Sequence, residues 1–416
     1  MRIGSDPSRR ENAAAGRWLS IVGVGEDGIN GLSVEARRLI AGAEIVFGGK
    51  RHLALVASLI QGEVRRWPSP FEGAIGEVLR LRNRPVCVLA SGDPFQHGVG
   101  SVLARHIDPR EMAAVPAPSA FSLAAARLAW ALPETTLLSL HAREPDLLRP
   151  HLQPRARVLA LTSDGAAPAV VAGLLVQLGF GASRLTVLEA LGGARERVRT
   201  TTAAGFNLDD IDPLNTVAIE TEASPDARII ARAAGLADDL FEHDGQLTKR
   251  EVRAITLSGL SPRRGELLWD IGAGAGSIAI EWMLADPSMR AVAIEARPDR
   301  VARIRRNAAA LGVPTLDVRM GQAPAALAGL PGPDAIFIGC GTGEQGLIET
   351  AMVALRTGGR LVVNAVTLAT ETCLIGQHGK HGGALVRIAI ARAAPLGRTM
   401  GWRPARPVTQ WTWVKR

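Results

Sequence analysis

Residues 265–295, GELLWDIGAGAGSIAIEWMLADPSMRAVAIE, limit the possible folds more than any other stretch. An apolar run from Leu267 to Ile271 drops into a loop with glycine at 272, 274 and 276. A helix-like run follows, and a second apolar run ends on Glu295. This is the pattern of a strand, a glycine turn, a helix and a parallel strand. Glycines let backbone N–H groups approach a ligand closely at a helix N-terminus. A carboxylate about 20 residues further on can hold ribose hydroxyls. The segment predicts a site for an adenosine-containing cofactor.

Spacing alone leaves the cofactor open. Gly272-x-Gly274-x-x-Ser277 departs from the dinucleotide fingerprint, whereas Gly274-x-Gly276-x-x-Ala279 satisfies it. Asp270 favours S-adenosylmethionine (SAM) over NAD. An acidic residue at the strand end suits the amino group of SAM and would repel a pyrophosphate. The bland alternative is a glycine turn that binds nothing.

At 416 residues the chain has room for two or three domains, and 47% hydrophobic with 21% charged residues describes an ordinary globular protein. Tyrosine is absent and only 4% of residues are aromatic, which argues against a stacking platform for single-stranded nucleic acid. The net charge is +8, carried almost entirely by arginine. Coding bias explains that as well as an anionic substrate does, although arginine forks suit carboxylates. The basic residues are scattered, so no nucleic-acid footprint is expected. Cys87, Cys340 and Cys373 are far apart without C-x-x-C spacing, which points away from disulfides and a zinc site and towards a reducing cytoplasm. No metal site is signalled. No apolar run reaches the ~18 residues of a membrane span.

Along the first half, Trp18–Val22 leads into a second glycine turn, Gly23-Val24-Gly25-Glu26-Asp27-Gly28, and a helix with Ser33 as N-cap. Further strands are expected at 43–47, 85–90, 137–140, 157–161, 184–188 and 216–219, with helices between. Two sheets split near Ala117 fit this alternation. Residues 1–16 read as a disordered tail, 17–222 as the first domain, 223–237 as a linker and 238–416 as the second domain. The second domain holds seven expected strands, at 267–271, 291–295, 316–319, 335–338, 360–365, 384–390 and 409–414. The last two have no room for a long helix between them, so the final strand is expected to run antiparallel.

Two resemblances meet in the chain. VGVGEDGINGLS from 22, SGDPFQHG at 91–98, PAPSAFSLAAARLAW at 116–130, SLHAR at 139–143, LTSDGAAP at 161–168 and LEALGGARERV at 188–198 resemble the tetrapyrrole methylase family. Glu26-Asp27, where many members have proline, suits its CbiE-type branch. FEHDGQLTKREVRAITLSGLSP at 241–262, running into the glycine loop, and PDAIFIGCGTG at 333–343 are similar to the CbiT type of class I SAM methyltransferase. Cys340 stands where glycine is expected. The fusion resembles the CobL-type family of precorrin-6B (also written precorrin-6Y) C5,15-methyltransferases.

The resemblance implies an α/β chain: a tetrapyrrole methylase fold of two α/β subdomains, then a seven-stranded Rossmann-like class I methyltransferase. It implies two SAM sites and a tetrapyrrole substrate, with no nucleic acid or membrane partner. It also implies C5 methylation by the first domain and C15 methylation with loss of the ring-C acetate carboxylate by the second, giving precorrin-8X in cobalamin biosynthesis. Related separate proteins form oligomers, so a homo-oligomer is expected. The rival is an RNA or protein methyltransferase with an accessory N-terminal domain. No Pro-Pro dipeptide occurs for the usual Asn-Pro-Pro-aromatic motif, and Asn364 precedes Ala365-Val366.

Expected cofactor residues are Gly23, Gly25, Ser91, Gly92, Asp93, Ser119 and Ala120 in the first half, and Asp270, Gly272, Gly274, Gly276, Glu295, Gln322 and Ala323 in the second. Asp93 can equally open a turn before Pro94. Thr248-x-x-Glu251 fits a capping box with the helix starting at Lys249. Thr248, Lys249, Arg250 and Arg253 are expected to grip substrate carboxylates, or else to form a solvated face. His243 and Glu251 are the acid–base candidates. Methyl transfer itself needs an in-line nucleophile and little else, and proximity supplies up to about 7–11 kcal/mol.

Overall fold

A computed structural model describes residues 16–68, 72–339 and 346–416. The tail reading for residues 1–15 and the Cys340 departure lie outside the described residues. The chain divides into two compact units: the described residues up to Arg143 with Pro154–Ala227, and Glu144–Gln153 with Arg228–Arg416.

The first unit carries two five-stranded sheets. One contains β1 (Leu19–Val24), β2 (Ile45–Gly48), β3 (Glu63–Arg66), β4 (Val86–Ser91) and β5 (Met112–Val115), in the order β3-β2-β4-β1-β5. All its pairings are parallel. β1 and β4 are buried along nearly their whole length, as the continuous apolar runs SIVGV and VCVLA require of central parallel strands. The second sheet contains β6 (Thr135–Ser139), β7 (Arg157–Leu161), β8 (Arg184–Glu189), β9 (Arg197–Thr202) and β10 (Asn215–Glu220), in the order β6-β7-β10-β8-β9. Here only β6–β7 is parallel. Ser33 caps the helix Val34–Ala41 by accepting from the Ala36 N–H at 3.1 Å, as its sequence position predicts.

The second unit is one seven-stranded sheet flanked by helices. Its strands are β11 (Leu267–Ile271), β12 (Arg290–Glu295), β13 (Asp317–Met320), β14 (Ala335–Ile338), β15 (Arg360–Ala365), β16 (Ala384–Ile388) and β19 (Val408–Val414). The order is β13-β12-β11-β14-β15-β19-β16. β19 lies antiparallel between β15 and β16, as the short final connection predicts. That connection is itself a two-stranded hairpin, β17 (Ala391–Leu396) and β18 (Thr399–Pro404). Apolar side chains pack on both faces of the sheet. Trp282, Ile304 and Leu260 are buried in the core on one side, and Ile336, Leu361 and Trp411 in the core on the other. Ile230 and Leu236, from the stretch read as a linker, lie in the first of these cores.

β3, β5, β9 and the hairpin were not expected from the sequence. β3 (EVRR) and β9 (RVRTTT) are exposed edge strands whose charged and polar residues mask the strand period. Among the described residues, no helix is long and apolar enough to cross a membrane.

Candidate active sites

Loops at the C-terminal ends of β1 and β4 meet in the first unit. Gly23 has no room for a side chain: a Cβ there would overlap the Gly92 carbonyl oxygen and come within 2.5 Å of the Ala117 nitrogen. Glycine at 23 therefore lets the loops after β1, β4 and β5 close on one another. Gly92 itself has φ +53°. Ser119 caps the helix Ala120–Leu128, accepting from the Ser122 N–H at 3.1 Å.

Beside these loops is a cavity of ≈ 290 Å³ lined by Gly25, Ser91, Gly92, Ser119 and Ala120, with Glu26, His97, His141 and Asn215 among its other walls. Gly23 and Asp93 are not on its wall. Asp93 makes the turn: its carboxylate accepts from the Phe95 N–H at 2.8 Å. His141 Nδ1 lies 3.2 Å from the Thr162 carbonyl oxygen, so Nδ1–H is the donor. Glu26 pairs with Arg51. His97, His141 and Arg51 carried no spacing signal; they converge only because separate loops do.

In the second unit, β11 delivers the glycine loop to the N-terminus of the helix Ser277–Leu284. Gly272, Gly274 and Gly276 all have positive φ, at +72°, +60° and +78°. Glu295, at the end of β12, accepts from the Gly274 N–H at 2.9 Å and the Arg297 N–H at 3.1 Å. Each of its oxygens keeps a further lone pair. Asp270 is fully buried, and its Oδ2 accepts from the Ala279 N–H at 3.0 Å. Among the described residues its Oδ1 has no partner. Burial first, and the neighbouring Glu295 charge as well, push the Asp270 carboxyl up to about 7, against the Ala279 hydrogen bond. A buried acceptor with nothing to accept from suits a cationic ligand group.

The adjoining cavity, ≈ 430 Å³, is lined by Gly272, Ala273, Gly274 and Ser277 on the loop side and by Thr248, Lys249 and Glu251 from the preceding segment. Phe337, Asn364, Val366, Ile388, Ile390 and Val408 supply a largely apolar wall, and Arg300, Arg392 and Arg406 add charge. Asp270, Gly276, Glu295, Gln322 and Ala323 do not reach its surface. Gly276 is needed for packing, since a Cβ would lie 2.8 Å from Ile304.

Several expectations need correction. The helix begins at Arg250, with Lys249 at the N-cap and no side-chain cap bond, so Thr248 forms no capping box. Arg253 cannot reach substrate. It is fully buried, bonds Glu281 at 2.5 Å and the Thr248 carbonyl at 2.6 Å, and lies 4.7 Å from the centroid of the Phe241 ring. Arg250 is exposed and off the cavity wall. His243 is also off the wall; its Nδ1 accepts from the Gly245 N–H at 3.0 Å. The sequence reading missed Asn364 as a wall residue. Its Nδ2 donates to Thr256 Oγ1 at 2.9 Å and its Oδ1 accepts from Gln410 at 2.9 Å, a buried polar network. Among the described residues, no His, Cys, Asp and Glu cluster is placed to hold a metal.

The two five-stranded sheets of the first unit and the seven-stranded sheet of the second, each with a glycine loop beside a cavity, fit a SAM-dependent methyltransferase of mixed α/β fold. Residues 19–206 match the family model of tetrapyrrole (corrin/porphyrin) methylases, and residues 239–415 match that of the precorrin methyltransferase domain. A Sinorhizobium protein named precorrin-6Y C(5,15)-methyltransferase [decarboxylating] is 61% identical over 411 residues, covering 99% of this chain and 100% of its own. The chain belongs to the precorrin-6Y C(5,15)-methyltransferase (decarboxylating) family. A Salmonella typhimurium cobalt-precorrin-6B C(15)-methyltransferase (decarboxylating) is 33% identical over 180 residues, 42% of this chain and 92% of its own. The crystal structure of the C-terminal domain of the Rhodobacter capsulatus precorrin-6Y C5,15-methyltransferase is 49% identical, covers 45% of this chain and 100% of its own, and has a TM-score of 0.43.

Proposed function

We propose that this chain methylates precorrin-6B at C5 and C15 from SAM bound at two separate sites. It also releases the ring-C (C12) acetate carboxylate as CO2, giving precorrin-8X in cobalamin biosynthesis. One observation carries this reading: each unit has its own cavity against its own glycine loop, in a chain that spans a relative of that name end to end. Residues 17–222 are taken as the C5 domain and 238–416 as the C15 and decarboxylating domain, joined by 223–237. The position of the precorrin methyltransferase match, and a shorter relative named for C15 alone, support that division.

SAM, when bound, supplies an electrophilic methyl carbon. In the first unit, Gly25, Ser91, Gly92, Ser119 and Ala120 would hold it, with Gly23 and Asp93 shaping the loops. In the second, the Gly272–Gly276 backbone would hold it. The spare lone pairs of Glu295 would take ribose hydroxyls, and Asp270 would offset positive charge. Gln322 and Ala323 would border the adenine side, and Thr248 and Lys249 the substrate. The residues need only orient the macrocycle carbon and keep water out. Loss of CO2 leaves an electron pair that an imine-like ring nitrogen can accept, and a proton must then reach the new methyl carbon. Glu251 is the acid on the second cavity wall. Burial acts to raise its carboxyl, but hydrogen bonds from its own backbone and from Arg392 outweigh burial and keep it below the ordinary range. It is therefore suited to holding Arg392 rather than to giving up a proton.

The reading places the enzyme in the cytoplasm as a homo-oligomer. Incubating the full chain with precorrin-6B and SAM tests it. The expected product has gained two methyl groups and lost CO2, and calorimetry with S-adenosylhomocysteine finds two sites per chain. A product that keeps the carboxylate, or a single site, overturns it.

A further inference from the structure

The ionisable side chains on the wall of the second cavity are Lys249, Glu251, Arg300, Arg392 and Arg406. Most of the cations are already matched. Lys249 Nζ lies 3.8 Å from Asp238, Arg300 bonds Asp244 at 2.9 Å, and Arg392 pairs with Glu251. Arg406 makes no ion pair or side-chain hydrogen bond among the described residues. It sits just past β18, where the Ala405 N–H donates to the Ile390 carbonyl at 2.8 Å and extends the hairpin ladder. Arg392 is the second residue of β17 and pairs across the hairpin with Arg403, so Arg392 and Arg406 both reach the cavity wall from the base of the hairpin.

Resting on the proposed function, we propose that Arg406, supported by Arg392, anchors a spectator side-chain carboxylate of the tetrapyrrole in the second cavity. It takes the role that Arg253, buried against Glu281, cannot fill. A guanidinium fork matches a carboxylate with two parallel hydrogen bonds. Both arginines are exposed to solvent at the cavity wall, so the pairing acts by geometry and charge and is partly screened. The anchored group is not the one that leaves, because a cation bound to the departing acetate would stabilise it as carboxylate and oppose CO2 loss. The departing acetate therefore faces the apolar wall of Phe337, Ile388 and Val408, while Arg406 fixes the macrocycle by another arm.

The test follows C15 methylation with CO2 loss separately from C5 methylation, by mass, in the full-length chain. In Arg406→Ala, KM for the C15 reaction is expected to rise about tenfold, the loss of roughly 1.4 kcal/mol of binding. Its kcat stays within about twofold, since uniform binding alone is removed. C5 methylation and S-adenosylhomocysteine affinity remain unchanged. Arg406→Lys keeps the charge without the fork and recovers part of the loss. An unchanged C15 KM in Arg406→Ala overturns the proposal. A fall in kcat with KM unchanged also overturns it, because that marks a structural role. Should Arg406→Ala lose S-adenosylhomocysteine binding, Arg406→Gln and Arg406→Lys decide the matter by the same KM readout. Absence of both methylations in the unaltered chain would instead mark failure of the proposed function.

Discussion

The Glu295 carboxylate accepts a hydrogen bond from the Gly274 backbone N–H at 2.9 Å, tying the end of β12 to the glycine loop that follows β11. The loop's shape thus depends on a charge at the next strand as well as on its own glycines. Replacing Glu295 by Gln keeps the size but weakens a charge-assisted bond. SAM affinity at the second site is expected to fall on the order of tenfold, with the first site unaffected. Calorimetry on the full chain resolves the two.

Asp270 makes the second unit pH-sensitive. Its carboxyl is raised from an ordinary 3.8 to about 7 by burial. Between those values the folded state binds more protons than the unfolded state. Its contribution is therefore most favourable below pH 4 and is lost as pH rises through about 7. Asp270→Asn should stabilise the second unit at pH 8, on the order of a few kcal/mol, and flatten its unfolding midpoint against pH. A cationic ligand favours the ionised form, so SAM should bind the unaltered second site more tightly at pH 8 than at pH 6. In Asp270→Asn that difference should vanish.

Gly23→Ala forces a methyl group against the Gly92 carbonyl and the Ala117 nitrogen, both backbone atoms that can yield only if the loops separate. C5 methylation should drop by at least about tenfold, with a lower unfolding midpoint for the first unit. C15 methylation should persist, and mass-resolved products show which methyl is missing.

Arg253→Ala leaves the buried Glu281 carboxyl without its cation. The expected cost is about 3–5 kcal/mol, read as loss of cooperative unfolding of the second unit near room temperature. A double replacement of Arg253 and Glu281 by Met should not rescue it. Glu281 also accepts the Gly235 and Leu236 N–H groups, at 2.7 and 3.0 Å, and an apolar side chain would leave both unpaired.

The central strands were legible because strands covered on both faces read as mainly apolar runs, as VCVLAS and AIFI do. The glycine loops were legible because each demands glycine by residue type, through positive φ at 272, 274 and 276 and through close backbone approach at 23. β9 and the 391–404 hairpin were not, because their exposed residues pack against little that would enforce alternation. Arg253 was misread for a related reason: a lone arginine on a helix looks solvated until its partner is known. The signal lay in Glu281, an acid inside the apolar helix SIAIEWML, which requires a buried cation opposite it. Arg392 and Arg406 could not have been paired with Glu251 or the glycine loop from spacing, since only the antiparallel insertion of β19 and the hairpin brings them to one wall.

That insertion also dictates when the second unit can be completed. β19 sits inside the sheet between two strands made earlier, so β15 and β16 have no shared neighbour until residues 408–414 leave the ribosome. Until then each presents a bare, largely apolar edge, the kind of template on which nascent chains stick to one another. A nonsense codon between positions 389 and 407 would leave that hazard permanent, and its signature would be insoluble protein rather than a shortened enzyme.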